Sequence, residues 1–285
     1  MPSGSVPSTP QPFALAGGKE LIFTLTTGRS GTELLSRALA LFPGVTSRHE
    51  PKPTFSSAFR AVMAQPKVAR EFWLQHKLPK IAREPGTVYC ETSHLCSLGF
   101  LESLVELGGK PTLIVLRRQP RAVARSLCSQ GDIPGRTLKG LKYYLAPQDR
   151  GRTFLEIEPA AAPDLHDYQL CYWYALELDL RAKAYQRAFA PLGLAFVALD
   201  FGALCTSAGV LALAQQLRLP QLSLARRGLL ARRLAQPVNA RPDRKRPFAL
   251  TDLELDQLEA ELRSLARPTA LGENLGPGPA TSVSE

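Results

Sequence analysis

Aromatic residues make up only 7% of the 285-residue chain, and they are not interleaved with its basic runs, which argues against a stacking platform for single-stranded nucleic acid. Cysteine is scarce. Cys90, Cys96, Cys128, Cys171 and Cys205 are widely spaced, odd in number and without a Cys-x-x-Cys pair, so reduced thiols in a cytoplasmic setting are expected. His49, His76, His94 and His166 show no zinc-ligand spacing, and no metal is expected. The opening "MPSGSVPSTPQPFALAGGK" has neither a basic start nor a long apolar core, which excludes a signal peptide or anchor. No run approaches membrane-spanning length, so the chain reads as soluble with no transmembrane anchor. There is no internal repeat. What stands out is charge: a net +10 calls for an anionic ligand, a nucleic acid or an anionic surface. With the aromatic argument above, no nucleic acid partner is expected.

Residues 1–18 and 268–285 are rich in Pro, Gly and Ser and read as disordered tails, because neither has enough apolar surface to offset the entropy of ordering. Between them, 19–267 reads as one domain. Leu21–Thr27, Thr87–Thr92, Thr112–Arg117 and Ala195–Phe201 are near-continuous apolar runs, as parallel strands covered on both faces require. Helical patterns follow at Gly31–Leu41, Leu98–Leu107, Pro120–Ser129 and Ser207–Leu217, with a longer one at His166–Phe189. The alternation implies an α/β fold, an open and mostly parallel sheet flanked by helices. Ligands of such sheets bind beyond the carboxyl ends of the strands.

The first such end is "TTGRSGTE", Thr26 to Glu33. Gly28 permits a tight turn and Gly31 a close backbone approach, after which Thr32 and Glu33 open a helix with free N–H groups. A helix start suits a phosphate or sulfate. The lysine that nucleotide triphosphatases place after the last glycine is missing, and the cation of the turn is Arg29. A guanidinium bridges anion oxygens with a planar fork, unlike the point charge of a lysine. A second strand end, "LRRQPRAVARSL", sets Arg118 eight positions before Ser126. With a helix starting at Pro120, Ser126 lies roughly 9 Å along its axis, within reach of an arginine at the strand end. One anion held between Arg118 and Ser126 competes there with a plain solvated basic helix.

The two elements together resemble the sulfotransferase family, which shares a P-loop nucleoside triphosphate hydrolase-like fold. Its basic-Ser-Gly-Thr pattern is met by Arg29, Ser30, Gly31 and Thr32, and its Arg-x-Pro-Arg-x-Val-x-x-Ser element by Arg118, Pro120, Arg121, Val123 and Ser126. Gln119 and Ala122 replace a common Asn and a common Asp. The resemblance implies 3′-phosphoadenosine 5′-phosphosulfate (PAPS) as co-substrate without a metal. The first motif would grip the 5′-phosphosulfate and the second the 3′-phosphate. Arg29 would then neutralise charge developing on the bridging oxygen.

Transfer also needs a base. "SRHEP" offers Glu50, where carbohydrate-directed members of the family keep a carboxylate. "YCETSHL" offers Glu91 and His94. His94 lies 24 residues before Arg118 and resembles the family's Lys-Thr-His-Leu element, slipped by one residue. Glu50 ranks first and His94 second. A glutamate base would need its pKa raised by burial. His49 reads as a neighbour that orients the loop.

Tyr168, Tyr172 and Trp173 read as core ahead of an acceptor pocket. Ala225–Pro247, with eight basic residues and one acid, reads as a basic surface or a flap over the nucleotide, with Asn239 and Arg241 as candidate contacts. In Leu250–Ala266, Thr251 and Glu254 have capping-box spacing. Loops at 46–83 and 131–165 are expected to shape the site for a carbohydrate, lipid or small-molecule acceptor. Two rival classes remain: a P-loop kinase, with Glu91 or Asp200 as its metal-binding acid, and a non-catalytic protein that binds an anionic partner.

Overall fold

A computed structural model describes residues 12–236 and 248–273. Its strands are β1 (Glu20–Leu25), β2 (Val45–His49), β3 (Val88–Thr92), β4 (Thr112–Arg117), β5 (Leu155–Ile157), β6 (Phe196–Asp200) and β7 (Ala266–Pro268). Five of them form a parallel sheet in the order β2-β3-β1-β4-β6, while β5 and β7 pair antiparallel at the side. The α/β class and the open parallel sheet are as the sequence implies. Every strand and helix read from the periodicity is present, with ends displaced by no more than two residues.

Alternating side chains of the strands feed two cores. Leu21, Phe23 and Leu25 of β1 join Leu113 and Val115 of β4 under the helices Phe55–Ala64, Phe100–Glu106, Pro120–Gln130 and Asp167–Phe189. Ile22 joins Ile114 and Leu116 on the opposite face, against Leu35 and Leu39 of helix Thr32–Leu39 and Leu213 of helix Ser207–Gln216. Burial on both faces is why these strands carry continuous apolar runs. Tyr168, Tyr172 and Trp173 are buried in the first core, as the core reading has it. Thr251 and Glu254 close a capping box on helix Asp252–Leu265. Among the described residues, no helix is long and apolar enough to cross a membrane.

Three features depart from the expectations. The described fold runs past 19–267 at both ends: Ala16 is fully buried in the larger core, and the Thr269 N–H bonds the Phe154 carbonyl at 2.9 Å. Residues 46–83 are mostly an edge strand followed by helices rather than loops, and their Phe55, Phe59 and Trp73 are core, although His49 and Glu50 at the end of β2 do line the cleft described below. Glu91 is no candidate base or metal ligand. It is fully buried, 2.6 Å from Lys77 Nζ, and accepts a hydrogen bond from Tyr89 at 2.7 Å. Lys77 also donates to the Pro53 carbonyl at 2.8 Å, which ties down the segment after Glu50.

Removing one partner of a buried pair strands the other, at a cost of about 3–5 kcal/mol. Lys77→Met is therefore expected to lower unfolding stability by that amount in urea titrations. An unchanged midpoint would show that the pair is not what braces this segment.

Candidate functional site

β1 delivers Thr26 and Thr27 to the turn Gly28–Gly31, which feeds the helix Thr32–Leu39. Arg29 has φ 67° and Gly31 φ 88°, so the chain passes through the left-handed region twice. For Arg29 this is a strained backbone of the kind concentrated at functional sites. Gly31 is required on two counts: its φ, and the Phe201 ring carbon that a Cβ would meet at 2.9 Å. The N-cap residue, Gly31, has no side chain to cap this helix, and a helix start suits an anion.

The second motif arrives from β4, the neighbour of β1. Arg118 donates to the Arg29 carbonyl at 2.6 Å and lies 4.6 Å over the Phe201 ring, at the carboxyl end of β6. Arg29 Nε in turn donates to Ser126 Oγ at 3.3 Å. The two motifs thus touch, with Arg29 bonded to the serine expected to share an anion with Arg118. Burial, with the Arg29 charge beside it, pushes the Arg118 pKa down. Among the described residues, no carboxylate forms an ion pair with Arg29 or with Arg118. Two adjacent, part-buried guanidinium groups that form no ion pair among the described residues make a site that an anion would relieve.

Glu50 and His94 are not alternatives in space. His94 Nδ1 lies 3.2 Å from Glu50 Oε1, and Nε2 lies 2.9 Å from the Tyr143 carbonyl. Both ring nitrogens thus face oxygen atoms. Burial raises the Glu50 pKa, but the hydrogen bond and charge of His94, with smaller help from His49 and Ser93, outweigh it and bring the value to about 2. The raised pKa expected of a lone glutamate base is not what the fold supplies. Glu50 has φ 45°, and its side chain remains 35% exposed, open to a substrate. His49 bonds the Thr92 carbonyl at 2.9 Å and so fixes the end of β2 beside β3.

A cleft of about 430 Å³ joins these groups, lined by Arg29, Thr32, Glu50, His94, Arg118 and Tyr144 among others. Its size falls within the roughly 300–1,000 Å³ common for small-molecule sites. Gly31 and Glu33 also line it, Glu33 with an ion pair to Arg37 at 2.5 Å. Ser30 is brought to the loop but not to the cleft: its hydroxyl is buried and bonded to Thr27. The basic segment begins as helix Leu224–Ala235, and Leu234 and Gln236 reach the cleft wall. Asn239 and Arg241 lie outside the described residues.

Phe201 and Tyr144 were not among the residues singled out from the sequence. Phe201 directly follows β6, the same place relative to its strand that Arg118 has relative to β4, and that position was the available signal. Tyr144 follows a short helix, Leu138–Tyr143, in a segment without periodic pattern. The chain matches no protein-family model, no curated protein and no solved structure.

Proposed function

We propose that the chain is a sulfotransferase that moves a sulfuryl group from PAPS to a hydroxyl or amine. The observation that carries this reading is the convergence on one cleft of an acid–base pair and two arginines that, among the described residues, form no ion pair with a carboxylate. Arg118 and Ser126 would take the 3′-phosphate of the nucleotide. The uncapped helix start with Gly31 and Thr32 would take the 5′-phosphosulfate, and Arg29 would turn from Ser126 toward the bridging oxygen.

Glu50 and His94 act as one base. Once the pair has released the proton between Oε1 and Nδ1, it accepts the proton of the acceptor hydroxyl. The acceptor oxygen then bonds to sulfur as the bond from sulfur to the bridging oxygen breaks. The charge left on the departing 5′-phosphate falls beside Arg29. Positioning, a base and charge stabilisation are sufficient kinds of effect for this chemistry. Glu91, the more buried of the two acids open to a kinase, is already held by Lys77 and Tyr89, which favours the sulfotransferase over that rival.

The test is a mass-spectrometric acceptor screen with isotope-labelled PAPS, covering sugars, lipid headgroups, phenols and amines. Labelled sulfated product is expected for one class. Adenosine 3′,5′-bisphosphate binding with no labelled product from any class would favour a non-catalytic anion-binding protein instead.

A further inference from the structure

Tyr144 lines the cleft, and the transfer scheme gives it no role. It is only 7% exposed, and its ring is held from two sides. One face stacks on His94 at 5.4 Å and 22°. The ring also meets Tyr174 at 5.2 Å and 88°, and the Tyr174 hydroxyl accepts the Gly28 N–H at 3.1 Å. The Tyr144 hydroxyl lies 3.4 Å from the point a Cβ on Gly28 would occupy, and the ring carbon Cε1 lies 2.8 Å from it. Gly28 is therefore what lets the phenol lie against the anion loop.

The hydroxyl makes no hydrogen bond to any described residue, whereas the other polar groups around it are engaged: His94 with Glu50 and Tyr143, Tyr174 with Gly28, Arg29 with Ser126. An unbonded hydroxyl on a residue that lines the cleft is free to donate to a ligand there. Burial, reinforced by the negative charges of Asp132 and Glu50 and opposed by Arg29, raises the phenol's pKa. It stays a neutral donor at any working pH.

We infer that the Tyr144 hydroxyl donates a hydrogen bond to a non-bridging oxygen of the sulfuryl group in transit. This rests on the sulfotransferase reading. The ring spans from the base, His94, to the start of the anion loop at Gly28, and in an in-line transfer the sulfur lies between those two points. A neutral donor orients the sulfuryl oxygens without adding a third cation to a cleft that already holds two.

The inference separates two ligands that differ only in the sulfuryl group. In Tyr144→Phe both ring contacts persist. Calorimetric affinity for adenosine 3′,5′-bisphosphate is expected to stay within about twofold of wild type, which also shows that the variant is folded. Affinity for PAPS is expected to fall about tenfold, the effect of one hydrogen bond to a charged group. Equal PAPS affinity in variant and wild type overturns the inference and leaves the sulfotransferase reading intact. An equal loss for both ligands also overturns it, because the contact would then serve the nucleotide or the fold. Wild-type protein that binds neither ligand overturns both readings together.

Discussion

Arg118→Ala is expected to lower affinity for adenosine 3′,5′-bisphosphate about a hundredfold while leaving the unliganded protein nearly as stable as wild type. The guanidinium is part-buried, has no carboxylate partner among the described residues and sits beside Arg29. In the free protein it contributes one bond to the Arg29 carbonyl and a contact over Phe201, set against like-charge repulsion. With a phosphate bound, the repulsion becomes attraction. Hydrogen bonds to charged groups are worth about 1.5–3 kcal/mol, and a bidentate fork makes two. A hundredfold change is about 2.7 kcal/mol. Arg118→Lys should recover only part of the affinity, since a point charge cannot reproduce the fork. Calorimetry and thermal melts check both halves. A variant that loses its melting temperature along with its affinity would make Arg118 a structural residue.

Glu50→Gln is expected to reduce sulfuryl transfer by about 10²–10⁴-fold with binding of adenosine 3′,5′-bisphosphate retained. Glutamine keeps the side chain's size and removes the charge that binds the proton shared with His94. Because the two groups touch, at 3.2 Å, their effects should not add. Combining His94→Ala with Glu50→Gln should cost little more than the worse single change. Near-normal turnover in Glu50→Gln would transfer the whole role to His94. The same contact has a stability signature. The Glu50 pKa is about 2 in the fold against an ordinary 4.5, so the unfolded chain takes up a proton first as pH falls. The stabilisation is complete above the ordinary carboxylate range and is lost as pH drops toward 2.

The sheet was legible because β1, β3 and β4 are buried on both faces and their composition says so. β2 was not. As an edge strand it leaves Arg48 and His49 exposed, and "VTSRH" lacks an apolar run. The helices at 55–82 were missed for another reason. They are short, broken by Pro66 and by the wide π-turn Phe72–Lys77, and no single amphipathic period runs through them. At the site, Arg29, Arg118, Glu50 and His94 were each visible as motif residues. Their pairing was not, since the bonds Arg29–Ser126 and Glu50–His94 join segments 97 and 44 positions apart. Tyr144 reaches the site through ring packing, which leaves no mark on spacing.

The central claim is that Arg29 with its turn and Arg118 with Ser126 grip the two phosphate ends of one nucleotide. It is tested most directly by thermal melts with adenosine 3′,5′-bisphosphate, in parallel with ATP and magnesium. At a hundred times its Kd the bisphosphate should add about 2.7 kcal/mol, raising Tm by roughly 5 °C or more. ATP with magnesium should shift it little. The reverse ranking, ATP with magnesium stabilising and the bisphosphate inert, would contradict the account.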